Sequence, residues 1–315
     1  MPRDETGPGA AWGIDGAGAP VPGSPVRGVA YAAAAYVIWG TFPLYFRALD
    51  GIPAPEILAH RIAWSAAFLV VLVTAWRRWP DVTRQLRAPG TLLRLSTSAV
   101  LISGNWLIYI WAVNAEHVLD ASLGYFVNPL VSVLLGVAFL HEPLSRRQVV
   151  AVALAAAGVL TLVVRAGVFP WVALSLAVSF GLYGLVRKRT PVDATAGLLG
   201  EVAVLAPVAL VYLGLVARRG EGHLGDGALR TALLVLLGVV TAVPLIWFAV
   251  GVRRLRLATI GVLQYVNPTM QFAVAVFVFG EPFTAAHRIA FGCIWAALAI
   301  YTSEALGVAR TPPPR

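Results

Sequence analysis

The chain has 315 residues, 59% of them hydrophobic and 12% charged, with a mean hydropathy of +0.78. It is far more apolar than a soluble domain, and its charges stand in short clusters between long apolar runs, the pattern of a polytopic helical membrane protein. The net charge of +9 punctuates loops instead of building a face, which argues against a nucleic-acid partner, and a single cysteine, Cys293, rules out an intrachain disulfide framework and a cysteine-based metal site.

In chain order, residues 1–27 are rich in glycine and proline and lack an apolar core, so they are expected to form a disordered tail and not a cleaved signal peptide. Ten apolar segments follow, near 28–47, 55–76, 93–113, 118–140, 147–165, 168–187, 194–217, 230–250, 258–280 and 286–306. Most have about the 20 residues that a helix needs to cross the hydrocarbon core. The almost continuous run from 147 to 187 is divided at Gly167 and Pro170, and Glu142-Pro143 and Glu281-Pro282 end the fourth and ninth helices. Residues 307–315 form a C-terminal tail. With both termini inside, the cytoplasmic side holds 17 of the 24 basic residues, which favours that orientation in a bacterial inner membrane.

A stretch of sequence occurs twice at an offset of 139 residues. Val127-Asn128-Pro129 returns as Val266-Asn267-Pro268, and Glu142-Pro143 returns as Glu281-Pro282. Five helices per copy is an odd number, so the second copy (167–306) is expected to lie upside down relative to the first (28–166). Charge agrees: Arg146 and Arg147 correspond to Ala285 and Ala286, while Asn114-Ala115-Glu116-His117 corresponds to Arg253-Arg254-Leu255-Arg256. The expected fold is an all-α integral membrane protein of ten transmembrane helices, arranged as two inverted five-helix repeats. Folds of this kind place a substrate near the midplane between the halves.

Polar residues at depth are costly and usually face a bundle interior or a wet cavity. In the second helix Glu56 and His60 are four apart and share a face, so they are expected to pair. His60 and Arg61 offer charge to an anionic or zwitterionic substrate, or else stabilise the helix end. Glu201 matches Arg61 under the repeat at an offset of 140, one residue from the main register, and is the most isolated deep charge. It could be a salt-bridge partner, a contact for a substrate cation, or a proton carrier. Asn128 and Asn267 precede prolines expected in the middle of the fourth and ninth helices, where each proline removes a backbone donor and leaves carbonyls free. Asn105 and Gln264 should lie deep and need partners, and Trp39, Trp106, Tyr109, Tyr125, Tyr183, Trp247 and Tyr265 are cavity-lining or interfacial aromatics. Small-residue runs such as Ala153 to Gly158, and Ala296 with Ala297, suit close helix packing or a homodimer. Glu56 and His60 have no further ligand cluster for a metal, and no Walker A, HEXXH or GxSxG motif occurs. No cofactor is expected.

The segments YVIWGTFPLYFRAL (36–49), PEILAHR (55–61), NWLIYIWAVN (105–114), GYFVNPLVSVLLG (124–136) with Glu142-Pro143, and SFGLYGLVRK (179–188) resemble the EamA-type drug/metabolite transporter superfamily, and within it the RarD branch. The resemblance covers about residues 28–306 and implies a bacterial inner-membrane secondary transporter of ten helices. It implies no particular substrate and brings no binding-residue set with it. The second copy is the more diverged, with Gly280 in the place of His141 and Pro244 in the place of Asn105. Taken together, the residues and the resemblance predict alternating-access movement of a small amphipathic metabolite or drug-like molecule without ATP hydrolysis. The alternatives are a membrane-embedded enzyme, a lipid scramblase or a non-transporting scaffold.

Overall fold

The computed structural model describes residues 25–140, 145–166, 169–252 and 263–310. Among them the secondary structure is entirely helical. The helices are α1 (Pro25–Gly40), α2 (Phe42–Arg47), α3 (Ala54–Ala75), α4 (Trp79–Leu86), α5 (Thr91–Asn114), α6 (Val118–Leu140), α7 (Arg146–Ala166), α8 (Trp171–Lys188), α9 (Ala194–Arg218), α10 (Ala228–Val252), α11 (Val266–Ala273) and α12 (Ala285–Arg310), with a π-helical turn Val274–Val278 continuing α11. Six stretches are long and apolar enough to cross a membrane: Gly28–Arg47, Ala54–Ala75, Thr91–Asn114, Arg146–Arg165, Ala194–Arg218 and Ala228–Phe248. Val118–Val131, Trp171–Arg187, Val266–Val278 and Ala285–Tyr301 are shorter apolar helices.

Local chemistry sets the helix starts. Asp193 caps α9 by accepting a hydrogen bond from the Ala196 N–H at 2.8 Å. Ser145 and Gln148 form a reciprocal capping box at the start of α7: the Gln148 N–H donates to the Ser145 hydroxyl at 3.1 Å, and the Ser145 N–H to the Gln148 side-chain oxygen at 3.0 Å. Thr284 and His287 repeat that arrangement before α12, with two backbone N–H contacts of 3.4 Å.

Three features depart from the ten-segment expectation. The first segment is broken at Thr41, where Gly40 has poor helix propensity and Pro43 supplies no N–H, so α1 and α2 are separate helices. A short helix, α4, occupies the connection between α3 and α5, outside the ten apolar segments. In the second copy, Gln264 and Tyr265 form a turn and α11 starts at Val266, which puts Pro268 in the first helical turn. Proline is tolerated there because the N–H it lacks would have no intrahelical partner. Pro129, by contrast, lies inside α6 as expected. The Glu142-Pro143 helix end and the Arg253 to Arg256 loop lie outside the described residues.

α6 packs on α8 and α11, α1 on α10 and α11, α3 on α9 and α10, α5 on α8 and α9, and α7 on α12. Small residues permit the closest approaches. A β-carbon on Gly124 would stand 2.7 Å from the Ala173 carbonyl oxygen of α8, and one on Gly158 would stand 2.9 Å from the Ala290 carbonyl oxygen of α12. The small-residue run ending at Gly158 is therefore used within the chain.

Polar contacts gather at two ends of the bundle. At one end Arg47 pairs with Glu116 at 3.0 Å and Asn114 donates to the Ile52 carbonyl at 3.3 Å. Glu281 there accepts the Val118 and Leu119 N–H groups, each at 2.8 Å. At the other end Asp193 meets Arg78 and Gln85 at 2.9 Å each, Arg94 donates to the Arg189 carbonyl at 2.9 Å, and Arg189 donates to the Phe139 carbonyl at 3.0 Å.

Candidate functional site

Helix α3 begins on Pro53-Ala54-Pro55 and carries Glu56, His60 and Arg61 inward, all buried. Glu56 is 1% exposed. Its carboxylate accepts the His223 backbone N–H at 2.7 Å and lies 2.7 Å from the His223 Nδ1, in the connection between α9 and α10. His60 stands farther off, with Nε2 at 3.8 Å from Glu56. The expected Glu56–His60 pair is thus the looser of two contacts, and His223 is the main partner.

Arg61 points elsewhere. It is 4% exposed, and its guanidinium carbon lies 3.9 Å from the centre of a Trp106 ring and 5.4 Å from that of Phe42. Among the described residues no carboxylate lies within ion-pair distance, and the buried Nε has no hydrogen-bond partner. Tyr109 and Tyr125 stand within electrostatic reach of the guanidinium and meet edge to face at 5.7 Å. The aromatic wall continues from Phe46 to Tyr109 at 5.9 Å, from Tyr125 to Phe180 at 6.4 Å, and from Phe180 to Tyr183 at 5.9 Å. The Tyr109 hydroxyl and the Asn128 Oδ1 are also buried without a hydrogen-bond partner among the described residues.

Glu201, 1% exposed on α9, is fully engaged. It accepts from the Ser98 hydroxyl at 2.7 Å and the Tyr183 hydroxyl at 3.5 Å, and lies 3.6 Å from the Arg187 Nε. Its cationic partner is Arg187 on α8. Arg61, its counterpart across the repeat, is not in that contact. Asn105 clamps α5 to α8: its amide donates to the Leu176 carbonyl at 3.0 Å and the Ser179 hydroxyl at 2.9 Å.

Trp247, Tyr265, Gln264 and Asn267 from the second copy, together with Trp39, gather in other places. Trp39 packs with Tyr36 at 5.5 Å and Phe248 at 5.6 Å, and Trp247 with Tyr31 at 6.3 Å. Tyr265 stacks on Phe126 at 6.4 Å, next to the half-buried Gln264. The Asn267 Oδ1 accepts from the Gln271 amide at 2.8 Å. Among the described residues no group of three His, Cys, Asp or Glu side chains is placed to hold a metal.

Comparison with known proteins places this architecture. Residues 26–164 match the model of the EamA-like transporter family. Protein RarD of Salmonella typhi is 48% identical over 89% of this chain and 96% of its own length. The chain belongs to the RarD branch of the EamA-like transporter family. A further relative, the uncharacterized transporter YojE of Bacillus subtilis, is 46% identical over 88% of this chain and 93% of its own length. A crystal structure 21% identical in sequence superposes with a TM-score of 0.60, covering 90% of this chain and 99% of the other, which shows a shared fold. As a RarD-family chain with several helices of membrane-crossing length, this is a multi-pass membrane protein with a transporter's ancestry.

Sequence reasoning missed Phe42, Ser98, Arg187 and His223. Only the tertiary fold brings Phe42 to Arg61, Ser98 and Arg187 to Glu201, and His223 to Glu56, across separations that no periodicity encodes. Lone charges at depth supplied a signal that partners must exist, without saying which ones.

Proposed function

We propose that this RarD-family protein is a secondary transporter that moves a small amphipathic metabolite or drug-like molecule by alternating access, without ATP hydrolysis. The observation that carries the proposal is Arg61, a buried cation set among Trp106, Phe42, Tyr109 and Tyr125 and left without a counter-charge by the described residues. A purely structural bundle gains nothing from a guanidinium in that state, because breaking or omitting its partner costs several kcal/mol. A site that receives a polar solute uses it.

The inverted-repeat arrangement supports alternating access. Exchanging the halves relates α1 to α8, α3 to α9, α5 to α10, α6 to α11 and α7 to α12. Under that exchange the α6–α8 packing corresponds to α11–α1, α1–α10 to α8–α5, and α3–α10 to α9–α5, while α3–α9, α6–α11 and α7–α12 correspond to themselves. The capping boxes at Ser145 and Thr284 stand at the duplicated offset, and the polar contacts separate into two ends, as ten alternating crossings require. Two halves with two mutual packings are the usual basis for opening a central site to either side in turn.

Transport is tested by counterflow in proteoliposomes free of ATP, using solutes found by thermal stabilisation of the purified protein across metabolites and antibiotics. Protein-dependent exchange is the expected result, and its absence for every stabilising solute would sink the proposal. The inverted topology has its own test. Ser145→Cys and Thr284→Cys should label from opposite sides of the membrane, and labelling from one side would overturn it.

A further inference from the structure

We infer that Arg61 and the aromatic rings packed around it recognise a small organic anion, a monocarboxylate carrying a flat apolar body, and reject the matching cation and zwitterion; the inference rests on the transporter reading and names its substrate class. Arg61 is held by its face. Trp106 covers the guanidinium plane at 3.9 Å and Phe42 approaches at 5.4 Å. Stacking of that kind satisfies the π face and leaves the N–H edge, which is the part that binds a carboxylate through two parallel hydrogen bonds. The Nε of that edge is buried and unpaired among the described residues. The Tyr109 hydroxyl, buried and unpaired as well, belongs to the same cluster and has a donor to offer an anionic oxygen.

The selectivity comes from what the other charges are doing. Glu201 is taken by Ser98, Tyr183 and Arg187. Glu56 is taken by the His223 N–H and imidazole, and Glu281 by the Val118 and Leu119 N–H groups. Each of these buried carboxylates already has its partners, so none of them is left for an ammonium group, whereas among the described residues the guanidinium of Arg61 has no anionic partner. A cation would meet Arg61 with like charge. A zwitterion would bring an ammonium that must be desolvated without a counter-ion, at a cost that its carboxylate contact has to overcome. A simple anion pairs with Arg61 and leaves no charge unmatched. The rings of Tyr125 and Phe42 supply apolar faces for a flat body.

The test uses the full chain in detergent and four molecules of one shape: phenylacetate, phenylacetamide, phenylalanine and phenethylamine, at equal concentration and ionic strength. Phenylacetate should raise the melting temperature in a saturable way and the other three should not. Arg61→Gln should weaken phenylacetate binding by roughly tenfold to a hundredfold, the value of hydrogen bonds to a charged group. Tyr109→Phe should weaken it several-fold. If Arg61→Gln fails to fold, Arg61→Lys serves in its place: it keeps the charge, loses the fork and the stack, and should retain anion preference at lower affinity. Equal stabilisation by the amide or the zwitterion, or stabilisation by phenylacetate that survives Arg61→Gln, overturns the inference. So does a lack of response to all four. Those outcomes leave transport itself standing, because it is decided by counterflow with whatever solutes stabilise the protein.

Discussion

Glu201 on α9 and Arg187 on α8 face one another at 3.6 Å, and the carboxylate is completed by the Ser98 hydroxyl at 2.7 Å. The cluster joins three helices, since Ser98 belongs to α5. A buried ion pair of this kind adds little net stability over an apolar replacement, but removing one partner strands the other. Arg187→Gln should therefore destabilise the protein by about 3 kcal/mol, with Glu201→Gln costing less and the double variant less than the two singles together. Unfolding in detergent, arranged as a double-mutant cycle, measures this. Strict additivity would show that the two side chains are not coupled.

Asn105 and Asn128 should respond in opposite ways. Asn105 makes two cross-helix hydrogen bonds, so Asn105→Ala should lower stability and membrane abundance, by about 1–3 kcal/mol in stability. The Asn128 Oδ1 has no hydrogen-bond partner among the described residues, so Asn128→Ala should leave abundance nearly unchanged and reduce flux. Quantitative blotting beside a flux assay separates the two. A parallel loss of abundance and flux in Asn128→Ala would make that residue structural.

Asp193 predicts an acid limb in stability. Burial pushes its carboxyl up, but the Ala196 N–H, Gln85 and Arg78 together hold it below its ordinary value of 3.8. A carboxyl lowered in the folded state binds protons more tightly when unfolded. Its contribution is therefore present above pH 3.8 and is lost as pH falls through the lower folded value. Asp193→Asn should keep the helix cap and flatten that limb, while Asp193→Ala should lose the cap as well, costing about 1 kcal/mol more. Melting temperature against pH for the three proteins is the measurement.

Glu281 predicts the reverse sign. Burial pushes it above its ordinary value of 4.5, against the opposing pull of the Leu119 and Val118 N–H groups. A raised carboxyl contributes stability that is full below pH 4.5 and declines as pH rises through the folded value. Glu281→Gln, neutral throughout, should remove that decline. Glu281→Ala should destabilise at every pH by leaving two N–H groups at the start of α6 without acceptors, about 1–3 kcal/mol each. A pH profile unchanged by Glu281→Gln would reject this reading.

Much of the helix layout was legible along the chain. Apolar runs of bilayer length located the helices, because every backbone polar group in a membrane must be satisfied within its own segment. The repeat at offset 139 was visible as Asn-Pro and Glu-Pro pairs, and Pro129 falls inside α6 as its position implied. The break at Thr41, the helix α4 and the turn at Gln264 and Tyr265 were not legible. Each depends on packing or on a single residue's local preference, which hydropathy averages away.

By itself the sequence determined the class and the family, since transfer of side chains into an apolar medium is a property of composition and run length. Only the tertiary structure decided which charges are spent and which are not. Glu201 and Arg61 stand within one residue of each other's place in the two copies, yet one is neutralised by Arg187 and the other rests against Trp106 without a carboxylate among the described residues. Pairing energies fall steeply with distance and depend on which helices touch, and no local pattern in the chain records that.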